Sequence, residues 1–192
     1  MAAPTPGRRT PRRADARRNQ LALLDAAAAT FAASGVHAPV RDIAARAGVG
    51  VGTIYRHFPS RADLVVAVYH QQIDACAAAA PTLLEREASP SAALADWVNL
   101  FVDFLVTKHG LAEALQSDAE AFGRLHAACL DRLVPVCAGL LTAAAEAGEV
   151  RADIDAFELL RGVGNLCIGA GTDDRYDARR LVDLLVAGLM RS

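Results

Sequence analysis

Three glycines at alternate positions, Gly48, Gly50 and Gly52, stand between two short apolar segments in the stretch GVGVGTIYRHF, residues 48–58. A chain written this way turns sharply and restarts a helix within a few residues. A phosphate loop of the GxxxxGK[ST] kind would need a lysine behind the glycines, and a dinucleotide fingerprint would need a strand before them. Here Thr53 follows Gly52, and the segment before Gly48 has helical periodicity. What remains is two short helices joined by a glycine turn, a helix-turn-helix. Gly48 makes the turn, Val49 plugs it, Gly50 caps the next helix, and Gly52 withdraws a side chain where the backbone approaches another surface. Ile54 and Phe58, four residues apart, face inward. Thr53, Tyr55, Arg56 and His57 then lie on the exposed side, with side chains suited to the phosphates and base edges of duplex DNA.

The surrounding sequence supplies the frame. Residues 1–15 mix Pro4, Pro6, Gly7 and Pro11 with Arg8, Arg9, Arg12 and Arg13, and read as a disordered basic arm. A first helix is expected over 16–34, with Leu21, Leu24, Ala28 and Phe31 inward and Gly35 just past its end. A second, over 39–47, has Pro39 in its first turn and Ile43, Ala44 and Ala47 inward. Ser60 and Asp63 form a capping box for a fourth helix over 61–80, which Pro81 stops. Leu94, Trp97, Val98, Phe101 and Leu105, flanked by Phe104, make an apolar stripe on a helix over 89–108 that Gly110 ends. A short segment over 111–116 leads to a long helix over 118–148, which Pro135 kinks or divides. Two last helices are expected over 155–169 and 176–191. The first offers Leu160, Val163, Gly164 and Cys167, the second Leu181, Leu184, Leu185, Gly188 and Leu189. Such a pair is either ordinary core or half of an intermolecular four-helix bundle. The fold class is all-α, with a helix-turn-helix domain over 16–63 and a helical domain over 64–192.

Charge divides the chain at the same place. Residues 1–63 carry ten Arg against four Asp, and the remainder carries ten Arg or Lys against eighteen Asp or Glu. A basic head on an acidic body points to a polyanion partner for the head alone. No apolar stretch is read as reaching the roughly 20 residues of a membrane span, and the Arg-rich start has no apolar segment of a secretory signal. The expected setting is a soluble cytoplasmic protein. Cys76, Cys129, Cys137 and Cys167 form no CxxC pair and read as reduced, buried hydrophobes. His126 and Cys129 stand three apart, but two ligands without a third do not make a metal site, and no metal or other cofactor is expected. No nucleophile, carboxylate pair or metal cluster falls at a catalytic spacing, so the chain does not read as an enzyme.

LLDAAAATFAASG, RDIAARAGV, GTIYRHF and PSRADL occur in order over residues 23–64, and this region, to Tyr69, resembles the DNA-binding domain of TetR-family transcriptional regulators. The resemblance implies a DNA-binding regulator, a repressor acting as a homodimer on a pseudo-palindromic operator. Thr53, Tyr55 and His57 would then bind phosphates, and Arg56, with Val51 and Gly52, would address bases. Arg61 and Arg41 would grip further phosphates. Two departures bear on this: Gly50 and Val51 replace frequent Ser or Lys, and Pro39 replaces a frequent Thr or Ser cap, so fewer polar contacts are available at both helix starts. Val51 offers apolar contact to a thymine methyl instead. For the second domain the resemblance implies dimerisation through the last two helices and a pocket for an unknown small-molecule effector, with Trp97, Phe101, Phe104, His109 and His126 as its candidate lining. WVNLFVDFLVTKHGLAEAL is also similar to an actinobacterial-type subgroup of these regulators. The alternative is a DNA-binding factor controlled by a protein partner, or one with no small-molecule inducer; a fully packed second domain would favour it.

Overall fold

The computed structural model describes residues 10–107, 119–151, 153–168, 170 and 175–191. Among these the chain forms eight helices: α1 (Thr10–Ser34), α2 (Val40–Ala47), α3 (Val51–His57), α4 (Arg61–Arg86), α5 (Pro90–Thr107), α6 (Ala119–Glu146), α7 (Ala156–Leu166) and α8 (Ala178–Ala187). The fold is all-α, as the periodicity requires. It divides into two compact units between Val68 and Tyr69, inside α4 and near the boundary expected after residue 63. We call them the head and the body.

In the head, α1 packs on α2 and α2 on α3. Leu23, Ala27, Phe31, Ile43, Ile54, Phe58 and Val65 fill its core. On α1, Leu24 and Phe31 are buried as expected, but Ala28 is half-buried and Leu21 is 39% exposed, while Leu23, Ala26 and Ala27 are buried. Every residue from Asp15 to Ala22 is exposed, so no packing acts on Leu21. α1 begins at Thr10, not at residue 16, and residues 10–15 of the expected arm are helical. Pro11 is compatible with a first turn, where the N–H it lacks would have no intrahelical partner, and Asp15 pairs with Arg18 one turn on. Arg8, Arg9 and the rest of 1–9 lie outside the described residues.

The turns form as local chemistry dictates. Gly35 and Gly48 hold φ of +75° and +67°, a region that costs an L-residue roughly 1–2 kcal/mol. At Gly48 the Val49 N–H reaches the Ala44 carbonyl at 3.0 Å, closing the end of α2 in the Schellman pattern. Pro39 is the N-cap of α2, one position before the expected first turn. Ser60 and Asp63 cap α4 reciprocally: Asp63 N–H donates to Ser60 Oγ at 3.1 Å, and Ser60 N–H to Asp63 Oδ2 at 2.9 Å.

The expected stop at Pro81 does not occur, and Pro135 does not divide its helix. α4 runs through Pro81 to Arg86, and α6 runs through Pro135. Both prolines are exposed, while Ala80, Leu83, Leu133 and Cys137 hold the buried side. α6 also corrects the membrane expectation, since Gly123–Glu146 has the length and mean hydropathy, 1.5, of a span. That apolarity serves a core: Leu125, Leu133, Cys137, Leu140 and Ala144 are buried, and Arg132 in mid-helix pairs with Asp74 on α4 at 3.2 Å.

In the body, α5 packs on α6, α7 and α8, α6 on α7, and α7 on α8. Asp155 and Glu158 cap α7 with a second capping box, and Asp177 caps α8. Both last helices are shorter than expected. Beyond α8 the chain extends, pairing Met190 with Val150 in an antiparallel bridge through Arg151 N–H to Leu189 O and Arg191 N–H to Glu149 O, each 2.9 Å. Glu149 also accepts the Ser91 N–H at the start of α5, at 2.8 Å.

Candidate nucleic-acid interface and cavity

α3 is amphipathic on the scale of two turns. Ile54, at 1% exposed, and Phe58 anchor it from within, and Phe58 N–H closes its last turn on the Ile54 carbonyl at 2.8 Å. Tyr55, Arg56 and His57 are exposed, Tyr55 at 49%, and Thr53 is half-buried. Arg56 and His57 lie in the last turn, where the helix dipole favours cations. Arg56 makes no ion pair or hydrogen bond among the described residues, so its donors are open to a partner. Val51 and Gly52 are exposed at the start of α3, and a Cβ added at Gly52 meets nothing within 4 Å. Gly50 is the N-cap of α3 and supplies no side-chain cap, as the absence of Ser or Thr there implies.

The two outlying arginines differ. Arg41, on α2, is exposed and 3.5 Å from its neighbour Asp42, a surface pair of little energetic weight. Arg61 is half-buried, and its guanidinium donates from both terminal nitrogens to the Ala38 carbonyl, with Nη1 at 3.0 Å. It thereby ties the start of α4 to the loop that launches α2. A guanidinium carries five N–H donors, so others remain for an anion.

Among the described residues, two cavities of the body stand out. The larger, about 400 Å³, is lined by Phe101 and Leu105 of α5, His126, Cys129 and Leu130 of α6, and Phe157, Leu160, Arg161, Gly164, Asn165 and Ile168 on and just after α7. The smaller, about 370 Å³, is lined by residues of α4 and α5, among them Gln72, Cys76, Asp103 and Phe104. The expected lining is thus divided. Phe101 and the exposed His126 belong to the larger cavity, Phe104 to the smaller, and His109 lies outside the described residues. Trp97 lines neither. It is fully buried, its indole N–H donates to the Cys76 carbonyl at 2.8 Å, and it stacks on Phe101 with ring centroids 6.2 Å apart. Phe104 meets Tyr69 edge-on at 5.9 Å. Periodicity marks Trp97 as inward-facing and cannot say whether a void lies beside it.

Sequence reasoning missed Arg161, Phe157 and Ile168. The available signal was a cation inside an apolar stripe, between Leu160 and Gly164. Phe157 and Ile168 are 46% and 73% exposed, and on α8 Leu184 is 61% exposed. α7 and α8 approach closely at Gly162, where an added Cβ would lie 3.6 Å from Leu185. All four cysteines are free and buried. Burial, with the neighbouring Cys129 adding to it, pushes the Cys76 thiol up to about 12, and burial beside Cys76 does the same to Cys137. Both stay protonated and unreactive.

Residues 23–68 match the profile of bacterial regulatory proteins of the tetR family, and residues 89–191 that of the C-terminal domain of SbtR-like transcriptional regulators. A TetR transcription regulatory protein from Mycobacterium vanbaalenii is 35% identical, with 94% of this chain and 100% of that one covered and a TM-score of 0.72. A TetR transcriptional regulator from Streptomyces coelicolor is 33% identical, with coverage of 89% and 98% and a TM-score of 0.74. The fatty acid metabolism regulator protein of Bacillus subtilis (strain 168) is 25% identical over 182 residues, 87% of this chain and 93% of the relative.

Proposed function

The chain belongs to the TetR family of DNA-binding transcriptional regulators, and from that premise we propose that it is a ligand-responsive repressor binding a pseudo-palindromic operator as a homodimer. The observation that carries the reading is α3: Ile54 and Phe58 buried beneath, Tyr55, Arg56 and His57 outward. Arg56 addresses a guanine, which arginine pairs bidentately, and Val51 and Gly52 meet base edges beside it. Thr53, Tyr55 and His57, with Arg41 and the free donors of Arg61, hold phosphates. Arg17 of α1, also exposed, adds a further cation for the phosphate backbone.

The exposed apolar side chain of Leu184 on α8 supports pairing of two copies through the last two helices. Two recognition helices then enter successive major grooves about 34–36 Å apart. Open cavities in the body favour a small-molecule effector over the alternative of a packed domain controlled by a protein. An effector releases DNA only to the extent that it binds the released state more tightly.

The test is selection of duplexes from a random pool, followed by footprinting. The expected result is a two-fold symmetric site protected at two half-sites one helical turn apart. Binding of a single half-site by a monomer would overturn the dimer reading, and no retained duplex at all would overturn the assignment of α3.

A further inference from the structure

The larger cavity has apolar walls with one charged exception. Phe157, Arg161, Gly164 and Ile168 succeed one another at steps of four, three and four residues, so they share one face and look into the same groove. Phe101 and Leu105 face them from α5 and Leu130 from α6. Asn165, next to Gly164, adds an amide. Elsewhere in the body, Arg86, Arg132, Arg151 and Arg179 each hold a carboxylate, while Arg180 on α8 is unpaired and exposed among the described residues and lines neither cavity. Arg161 makes no ion pair or hydrogen bond among the described residues, although it lines a cavity. Glu158, one turn back, has its carboxylate on the Asp155 N–H in the capping box, so the guanidinium at this apolar groove matches an anion brought from outside, since a carboxylate takes two parallel hydrogen bonds from its planar fork.

We propose that this cavity binds an amphipathic organic acid, its carboxylate on Arg161 and its apolar chain along Phe157, Leu130, Phe101 and Leu105. The inference rests on the ligand-responsive reading and names the ligand's class. A volume of about 400 Å³ falls within the roughly 300–1,000 Å³ of small-molecule sites. Charge excludes two related classes. A quaternary ammonium amphiphile brings a like charge to Arg161. A coenzyme A thioester hides the carboxylate and brings several phosphate charges to a lining with one arginine. Gly164 leaves room beside Arg161, because a Cβ built there meets nothing within 4 Å.

The experiment is calorimetric titration of the full chain with decanoate, decanol, decyltrimethylammonium and decanoyl coenzyme A. Decanoate is expected to bind at least about tenfold more tightly than the other three. Arg161→Gln is expected to weaken decanoate by about 10- to 100-fold, the span of a charged hydrogen-bonded contact, and to leave decanol unchanged. Gly164→Leu, which fills the groove without a steric conflict at Cβ, is expected to abolish decanoate binding in a protein that still folds. Equal affinity for decanol and decanoate, undiminished binding by Arg161→Gln, or no binding of decanoate would each overturn the proposal. A parallel titration on the selected operator separates the two readings. Arg161-dependent decanoate binding with DNA affinity unchanged upholds the acid site and removes the ligand-responsive reading. DNA release by decanol or decyltrimethylammonium, with decanoate inert, does the reverse.

Discussion

The head carries its chemistry outside and the body carries its chemistry inside. In the head, a seven-residue helix buries Ile54 and turns Tyr55, Arg56 and His57 to solvent. In the body, Phe101, Leu130 and Arg161 gain meaning only because α5, α6 and α7 leave a space between them. An outward constellation on one short helix is a property of spacing along the chain. An inward one depends on how distant segments fit, and the same apolar stripe serves a wall or a solid core. Trp97 and Phe101, one turn apart on α5 and stacked on each other, fall on opposite sides of that line.

The largest effect expected sharpens the division within the body. Trp97→Ala should cost about 3–5 kcal/mol in denaturant unfolding, the usual range for removing a buried aromatic. A variant of undiminished stability with ligand binding lost would make Trp97 a wall after all. Next is Arg56→Ala, which should lose roughly 1–3 kcal/mol of discrimination at one base position in binding assays on operator variants, with the unfolding midpoint unmoved. Uniform weakening across all sequences would instead make Arg56 a phosphate contact. Smaller, and of opposite signs in two assays, is Gly52→Ala. It should stabilise the head by about 0.5–1 kcal/mol, because alanine is the better helix former and nothing opposes its Cβ, while weakening operator binding in gel shifts. Tighter binding by this variant would show that no close approach occurs at residue 52.

The smallest effect belongs to the body's polar fastening. The Ser91 N–H and hydroxyl hold the Glu149 carboxyl below the usual carboxylate range. A group with a depressed native pKa contributes stability that is present above its unfolded value and lost as pH falls through the native one. The pH dependence of the melting temperature below pH 5 should therefore flatten slightly in Glu149→Gln. Identical profiles would mean that the contact does not form in solution.

How much was legible follows from the same contrast. Gly35, Gly48 and the Ser60–Asp63 box were readable because each is satisfied by atoms within a few residues. The outward set on α3 was readable for that reason too. Pro81 misled because its local cost is real but small beside the packing of Leu83 that carries α4 onward, and the packing of Leu133 and Cys137 likewise keeps α6 undivided at Pro135. Leu21 misled because periodicity continues past the point where anything packs on it. Arg161 went unread because an arginine in a stripe is usually a solvated edge, and only the groove beside it says otherwise.

The bridge between Val150 and Met190 closes a loop around α7 and α8, with hydrogen bonds on both sides of it. Segments locked at both ends tend to open together, not to fray residue by residue. In hydrogen–deuterium exchange the amides of Arg151 and Arg191 should therefore share one opening rate, and the hairpin of helices they enclose should behave as a single cooperative block.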